Sequence, residues 1–247
     1  MIIRGGFPFL KEKKHVISLV GAGGKTTLMY ALAKCFTENG ARTVVTTTTH
    51  IFRPEGRLWA KSPEEAKALW RGGSYAVVGR PVSGAPEGQE DPEKREKLTA
   101  LPETDLDMYI QLADIVLIEA DGAKRLPCKV PEEHEPVILE ECDIVIAVMG
   151  MEALGKPLKA VCFRTEAAVR LLKAAPSEVV TETMMAKIVA SERGARKNVG
   201  GRDYYVVLNQ CDDDLSFRRI ILIRQICCVY YPQLSKNAQN IRNPVPF

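Results

Sequence analysis

The junction at residues 15–39 restricts the fold more than any other stretch of the chain. HVISLVG (15–21) is an almost unbroken apolar run of strand length. From Lys25 to residue 39 the apolar residues recur at helical spacing, and Gly40 closes the segment. A strand that is apolar on both faces is covered on both faces, which points to a parallel sheet between layers of helices. The pattern repeats downstream. ARTVVTTTT (41–49), SYAVVG (74–79), DIVLIEADG (114–122), CDIVIAVMG (142–150) and YYVVLNQCD (204–212) read as strands. SPEEAKALWRGG (62–73), DLDMYIQLA (105–113), TEAAVRLLKAA (165–175) and TETMMAKIVAS (181–191) read as helices. Ser62 stands as an N-cap before Pro63, and Thr165 and Thr181 stand in capping positions.

A plain turn does not need three glycines, a lysine and two threonines. A loop that leaves a parallel strand and enters a helix N-terminus aims backbone N–H groups at one point, and the helix dipole adds about half a positive charge there. Gly21, Ala22, Gly23 and Gly24 let an anion approach that backbone; Lys25 is placed to reach β- and γ-phosphates; Thr26, with Thr27 behind it, is placed to put a hydroxyl on Mg²⁺. The full Walker A pattern G-x-x-x-x-G-K-[ST] would need glycine at position 19, which is Leu19, so the loop is a shortened one. It resembles the G-T-x-G-K-T loops of Mur-type peptide ligases. The expectation is an α/β, P-loop NTPase-like domain, mostly parallel, with helices on both faces of the sheet.

Such a loop needs carboxylates at the same edge of the sheet. Glu119 and Asp121 end a buried strand and are the candidates for holding Mg²⁺ or orienting an attacking water; with Lys25 they are the expected catalytic set. Glu119-x-x-Gly122 resembles the E-x-x-G of metallochaperone-type GTPases. In VVTTTTH, Thr48, Thr49 and His50 run past the expected strand end, and Thr48 is a candidate metal contact; β-propensity alone is the other reading of the threonines. Asn209 and Asp212 in VLNQCD resemble the guanine-reading N-K-x-D with Gln210 in place of lysine. The nucleotide is therefore ATP or GTP, undecided.

Other residues admit a plainer account. Lys124, Arg125 and Lys129 form either a solvated basic loop, the favoured reading, or a second anion site. His134 is expected to pair with Glu133 or Glu135 on the surface. Arg164 and Glu166 either reach the site or begin a helix. Seven cysteines, odd in number and without C-x-x-C, argue against a disulfide framework or a zinc site; most, including Cys227 and Cys228, read as buried small hydrophobes.

The 247 residues suit a single domain spanning 1–247. Residues 80–100, rich in proline, glycine and charge, are expected to be a solvated loop or a lid, and residues 215–247 give no clear element. A net charge of +3 gives no support to a nucleic-acid partner. No apolar run reaches the roughly 20 residues of a membrane span, and no leader is evident, so a cytoplasmic location is expected.

Taken together, VGAGGKTTLMYALA, VVTTTTHI, IVLIEADGAKRLPCKVPEEHEPVI, MGMEALGKPL with CFRTEAA, and VVLNQCD resemble the YqeC family. These stretches span roughly residues 16–212, and the EADGAKRLPCK…EHEPVI block is the most specific. The resemblance implies a nucleotide-binding P-loop protein that acts as an accessory or maturation factor for a selenium-dependent molybdenum hydroxylase or its cofactor. Two departures stand out: Cys128, where an apolar residue such as leucine is expected, and the segment after Asp214. Two rival expectations remain: an ATP-dependent ligase or kinase-type enzyme, for which the chain offers little room for substrate domains, and a non-hydrolysing nucleotide-dependent switch.

Overall fold

The computed structural model describes residue 9, residues 14–82 and residues 96–211. Six strands form the main sheet: β1 (His15–Gly21), β2 (Thr43–Thr47), β4 (Ala76–Val77), β7 (Ile115–Glu119), β9 (Ile144–Gly150) and β11 (Asp203–Asn209). Their spatial order is β11-β9-β1-β7-β2-β4, and every neighbouring pair is parallel. The central strands are buried on both faces, as their unbroken apolar runs require.

Alternation sorts the two faces. Ile17, Leu19, Val45, Ile115, Leu117 and Ile146 share one core with Leu28, Met29, Leu32 and Phe36 of helix α1 (Lys25–Glu38). Each such side chain contributes about 2 kcal/mol on burial. Val16, Val20, Val44, Val116, Ile118 and Val145 point the other way. They pack against α2 (Pro63–Arg71), α3 (Glu103–Leu112), α5 (Thr165–Leu172) and α6 (Glu182–Ala190). The α/β architecture with helices on both faces is thus the one the sequence implies, and it is consistent with a P-loop NTPase-like fold.

Smaller elements were not legible in the sequence. β3 (His50–Phe52), β5 (Arg80–Pro81) and β6 (Lys97–Thr99) make an antiparallel sheet, and β8 (Cys128–Lys129) pairs in parallel with β10 (Cys162–Phe163), which follows the short helix α4 (Leu158–Val161). Two of the expected helix caps are present: Thr181 accepts from the Met184 amide at 3.3 Å, and Ser62 accepts from the Glu65 amide at 3.3 Å. Thr165 does not cap; Arg164 takes the N-cap position with φ 66°, and the Thr165 hydroxyl donates to Cys162 O at 2.9 Å. Residues 83–95 of the expected lid, Asp212, Cys227, Cys228 and residues 215–247 lie outside the described residues.

Candidate functional site

The glycine loop leaves β1 between β7 and β9 and enters α1 through Gly24. Gly24 has φ 104°, and a Cβ there would lie 2.4 Å from Asn209 Nδ2. Gly23 has φ 78°, and its Cβ would lie 2.2 Å from Gly150 N. Gly23 therefore demands glycine on two grounds, backbone conformation and space, whereas Gly24 demands it by conformation, since the atom in the way is the end of the Asn209 side chain. The Ala22 amide donates to Val148 O at 2.8 Å, and the Gly23 amide to Leu126 O at 3.1 Å. Among the described residues the amides of Gly24, Lys25 and Thr26 have no hydrogen-bond acceptor. They are the orphan donors of a helix start, and no side chain caps them.

Lys25 is buried, with 4% of its side chain exposed. Its ammonium donates to Gly21 O at 2.5 Å and lies 3.1 Å from Asp121 Oδ1. That contact is ionic and lacks hydrogen-bond geometry, so Asp121 Oδ1 is a buried oxygen without a hydrogen-bond donor. Asp121 Oδ2 accepts from the Gly21 amide at 3.1 Å and faces Lys129 Nζ at 3.1 Å. A phosphate that engaged Lys25 would have to share this ammonium with Asp121 and Gly21.

Thr26 donates its hydroxyl to Glu119 Oε2 at 2.6 Å. Glu119 ends β7 in register with Leu19 of β1 and Thr47 of β2. Its carbonyl accepts from the Thr47 hydroxyl at 2.9 Å and from the Thr48 amide at 3.1 Å, which fixes the point where its side chain emerges. Burial raises the Glu119 carboxyl above its ordinary value; Asp121's charge adds to this, while Lys25, Thr26 and Lys129 offset part of it. Thr26 Oγ1, Glu119 and Asp121 are hard oxygen donors, and Asp121 Oδ1 is an orphan among them. Two carboxylates and a hydroxyl fit Mg²⁺, which takes few protein ligands and completes its shell with water and phosphate. Among the described residues no group of three or more His, Cys, Asp or Glu side chains forms a metal cluster.

The structure brings Gly21, Ala22, Gly23, Gly24, Lys25, Thr26, Glu119 and Asp121 together at the carboxyl edge of the sheet. Thr27 is exposed on α1. Thr48 donates its hydroxyl to Val137 O at 3.2 Å, and His50 is exposed in β3. Asn209 meets the phosphate loop itself: its Nδ2 donates to Gly23 O at 2.8 Å.

The expectation for Lys129 is overturned. Lys129 is not part of a solvated loop; its side chain is fully buried, with Asp121 Oδ2 and Glu135 Oε2 each 3.1 Å from the ammonium, which also donates to Gly122 O at 2.6 Å. Glu135 in turn faces Arg164 at 3.5 Å. Among the described residues His134 is exposed and has no ion pair, so the expected pairing with Glu133 or Glu135 is absent. Glu166 is exposed in the first turn of α5. Lys129 and Glu135 as a buried pair escaped the sequence because they sit on opposite sides of a loop with no periodicity. Cys128, Cys142 and Cys162 are buried free thiols, as expected. No helix among the described residues is long and apolar enough to cross a membrane.

A parallel α/β sheet with a glycine-rich strand–loop–helix at its central strand, faced by two carboxylates, defines an architecture consistent with the P-loop NTPase-like class. The chain belongs to the YqeC family: the family model described as YqeC protein matches residues 17–166. "Uncharacterized protein YqeC" of Escherichia coli (strain K12) is 31% identical over 220 residues, covering 83% of this chain and 81% of its own. No solved structure gives a significant match.

Proposed function

We propose that this protein binds a magnesium nucleoside triphosphate, ATP or GTP, at residues 21–26 and hydrolyses it. In this reading it serves the maturation of a selenium-dependent molybdenum hydroxylase or its cofactor. The observation that carries the nucleotide reading is the set of three unengaged amides, on Gly24, Lys25 and Thr26, beside a buried lysine and a Thr26–Glu119 pair. Phosphate oxygens take those amides, and the α1 dipole favours their charge. Lys25 neutralises phosphate charge; Thr26, Glu119 and Asp121 hold Mg²⁺ directly or through water. The ion, when bound, would spread the charge that develops on the transferred phosphoryl group. Glu119, charged with difficulty in its buried setting, gains a counter-ion there. The maturation role rests on the resemblance of the EADGAKRLPCK…EHEPVI block to the YqeC family and on the accessory role that this resemblance implies.

The test is a thermal-shift titration with Mg·ATP and Mg·GTP, followed by phosphate-release measurements, on wild type and Lys25→Ala. A nucleotide at 100 times its Kd adds about 2.7 kcal/mol of stability. The expected result is a shift and a phosphate release in wild type, both lost in Lys25→Ala. Equal behaviour of the two proteins defeats the proposal, and a shift without release favours the non-hydrolysing switch.

A further inference from the structure

A second cationic surface adjoins the phosphate loop. The segment that follows β7 folds back so that Leu126 O accepts from Gly23 and Pro127 O from Gly150, which puts Lys124 and Arg125 immediately beside the loop. Lys124, Lys129 and Arg164 converge on a single ring: their charged heads lie 5.4, 5.5 and 4.8 Å from the Phe163 centroid. Arg125 lies 5.6 Å from the Phe52 ring. Like charges gathered this way repel one another, and the aromatic faces offset only part of that repulsion.

Three further observations bear on the cluster. Lys124, Arg125 and Arg164 all have left-handed backbones, with φ 46°, 62° and 66°. Non-glycine residues held there are strained and gather at functional sites. The charges also fail to balance. The carboxylates that face Lys124, Arg125, Lys129 and Arg164 are Asp121 and Glu135; Lys129 takes both, and Arg164 shares Glu135. Among the described residues Lys124 and Arg125 have no ion pair. In addition, Arg164 Nε is a buried nitrogen without a hydrogen-bond acceptor.

We propose that Lys124, Arg125 and Arg164 form a binding site for a doubly charged, phosphate-like oxyanion of a second substrate, next to the nucleotide phosphates. Lys129 and Glu135 are its positioning residues, holding Arg164 and the loop in place. That the anion is a co-substrate rests on the nucleotide reading above; that the site exists does not.

Inorganic phosphate is the probe, titrated by thermal shift and by ³¹P line broadening against sodium chloride of equal ionic strength. The proteins are wild type, Lys25→Ala, Arg164→Gln and the exposed double variant Lys124→Gln/Arg125→Gln. The expected result is a phosphate-specific response in wild type that survives in Lys25→Ala. Half-saturation should rise at least tenfold in Arg164→Gln and in the double variant. Should Arg164→Gln not fold, the double variant decides alone. Absence of a response in wild type, its loss in Lys25→Ala, or an unchanged response in the double variant overturns the site. Failure of Mg·ATP and Mg·GTP to bind, with the phosphate pattern intact, defeats only the nucleotide reading.

Discussion

Asn209 stands at the end of β11, where its spacing resembles that of a base reader, and its amide group also donates to Gly23 O and lies above Gly24. A hydrogen bond of this kind is worth about 1 kcal/mol net. Asn209→Ala should therefore weaken ATP and GTP alike, by about five- to tenfold, through a looser loop. Calorimetric titration of both nucleotides checks this, and a loss confined to GTP would assign Asn209 to the base instead. The loop residues were readable from sequence because residues 21–26 act as a local unit. Lys25–Asp121 and Thr26–Glu119 were half readable, since the strand-end carboxylates were visible and their partners followed from the sheet. Lys129–Glu135 was not readable: a lysine in a glycine- and proline-bearing stretch looks solvated until the chain is folded over it.

Among the elements, α2 is the one whose ends are written most clearly. Ser62 caps it, Pro63 opens it, Glu64 and Glu65 lie in its first turn and Arg71 in its last. Ser62→Ala should lower the melting free energy by about 1 kcal/mol without altering nucleotide affinity, measured by denaturant unfolding and thermal shift. The long strands were legible for the same kind of reason: seven-residue apolar runs such as β9 leave no alternative to double-sided burial. The two- and three-residue strands β3, β5, β6, β8 and β10 have too few residues to show a period, and tertiary pairing alone creates them. The α5 start was misread because Thr165 has the right chemistry for a cap, while the turn before it uses a left-handed arginine.

For the molecule as a whole, the chain of charges Lys25–Asp121–Lys129–Glu135–Arg164 joins the end of β7 to β8 and to the start of α5. Burial alone would raise Glu135, but the Lys129 ammonium, the Glu132 amide and Arg164 together hold its carboxyl below the ordinary value. A depressed carboxyl stabilises the folded state above its unfolded-state pKa, and this contribution disappears as pH falls through the folded value. Acid unfolding of wild type should steepen below the usual glutamate range, and Glu135→Gln should remove that part of the pH dependence while lowering stability at neutral pH. Equal acid slopes in the two proteins would contradict it. The order of strands has a further consequence, for synthesis. β1 is made early, yet both strands beside it, β7 and β9, and the asparagine that braces its loop come from residues 115–209. A nascent chain therefore exposes its glycine loop without neighbours until β7 and β9 have left the ribosome, and a fragment ending before β11 should emerge with that loop unbraced by Asn209.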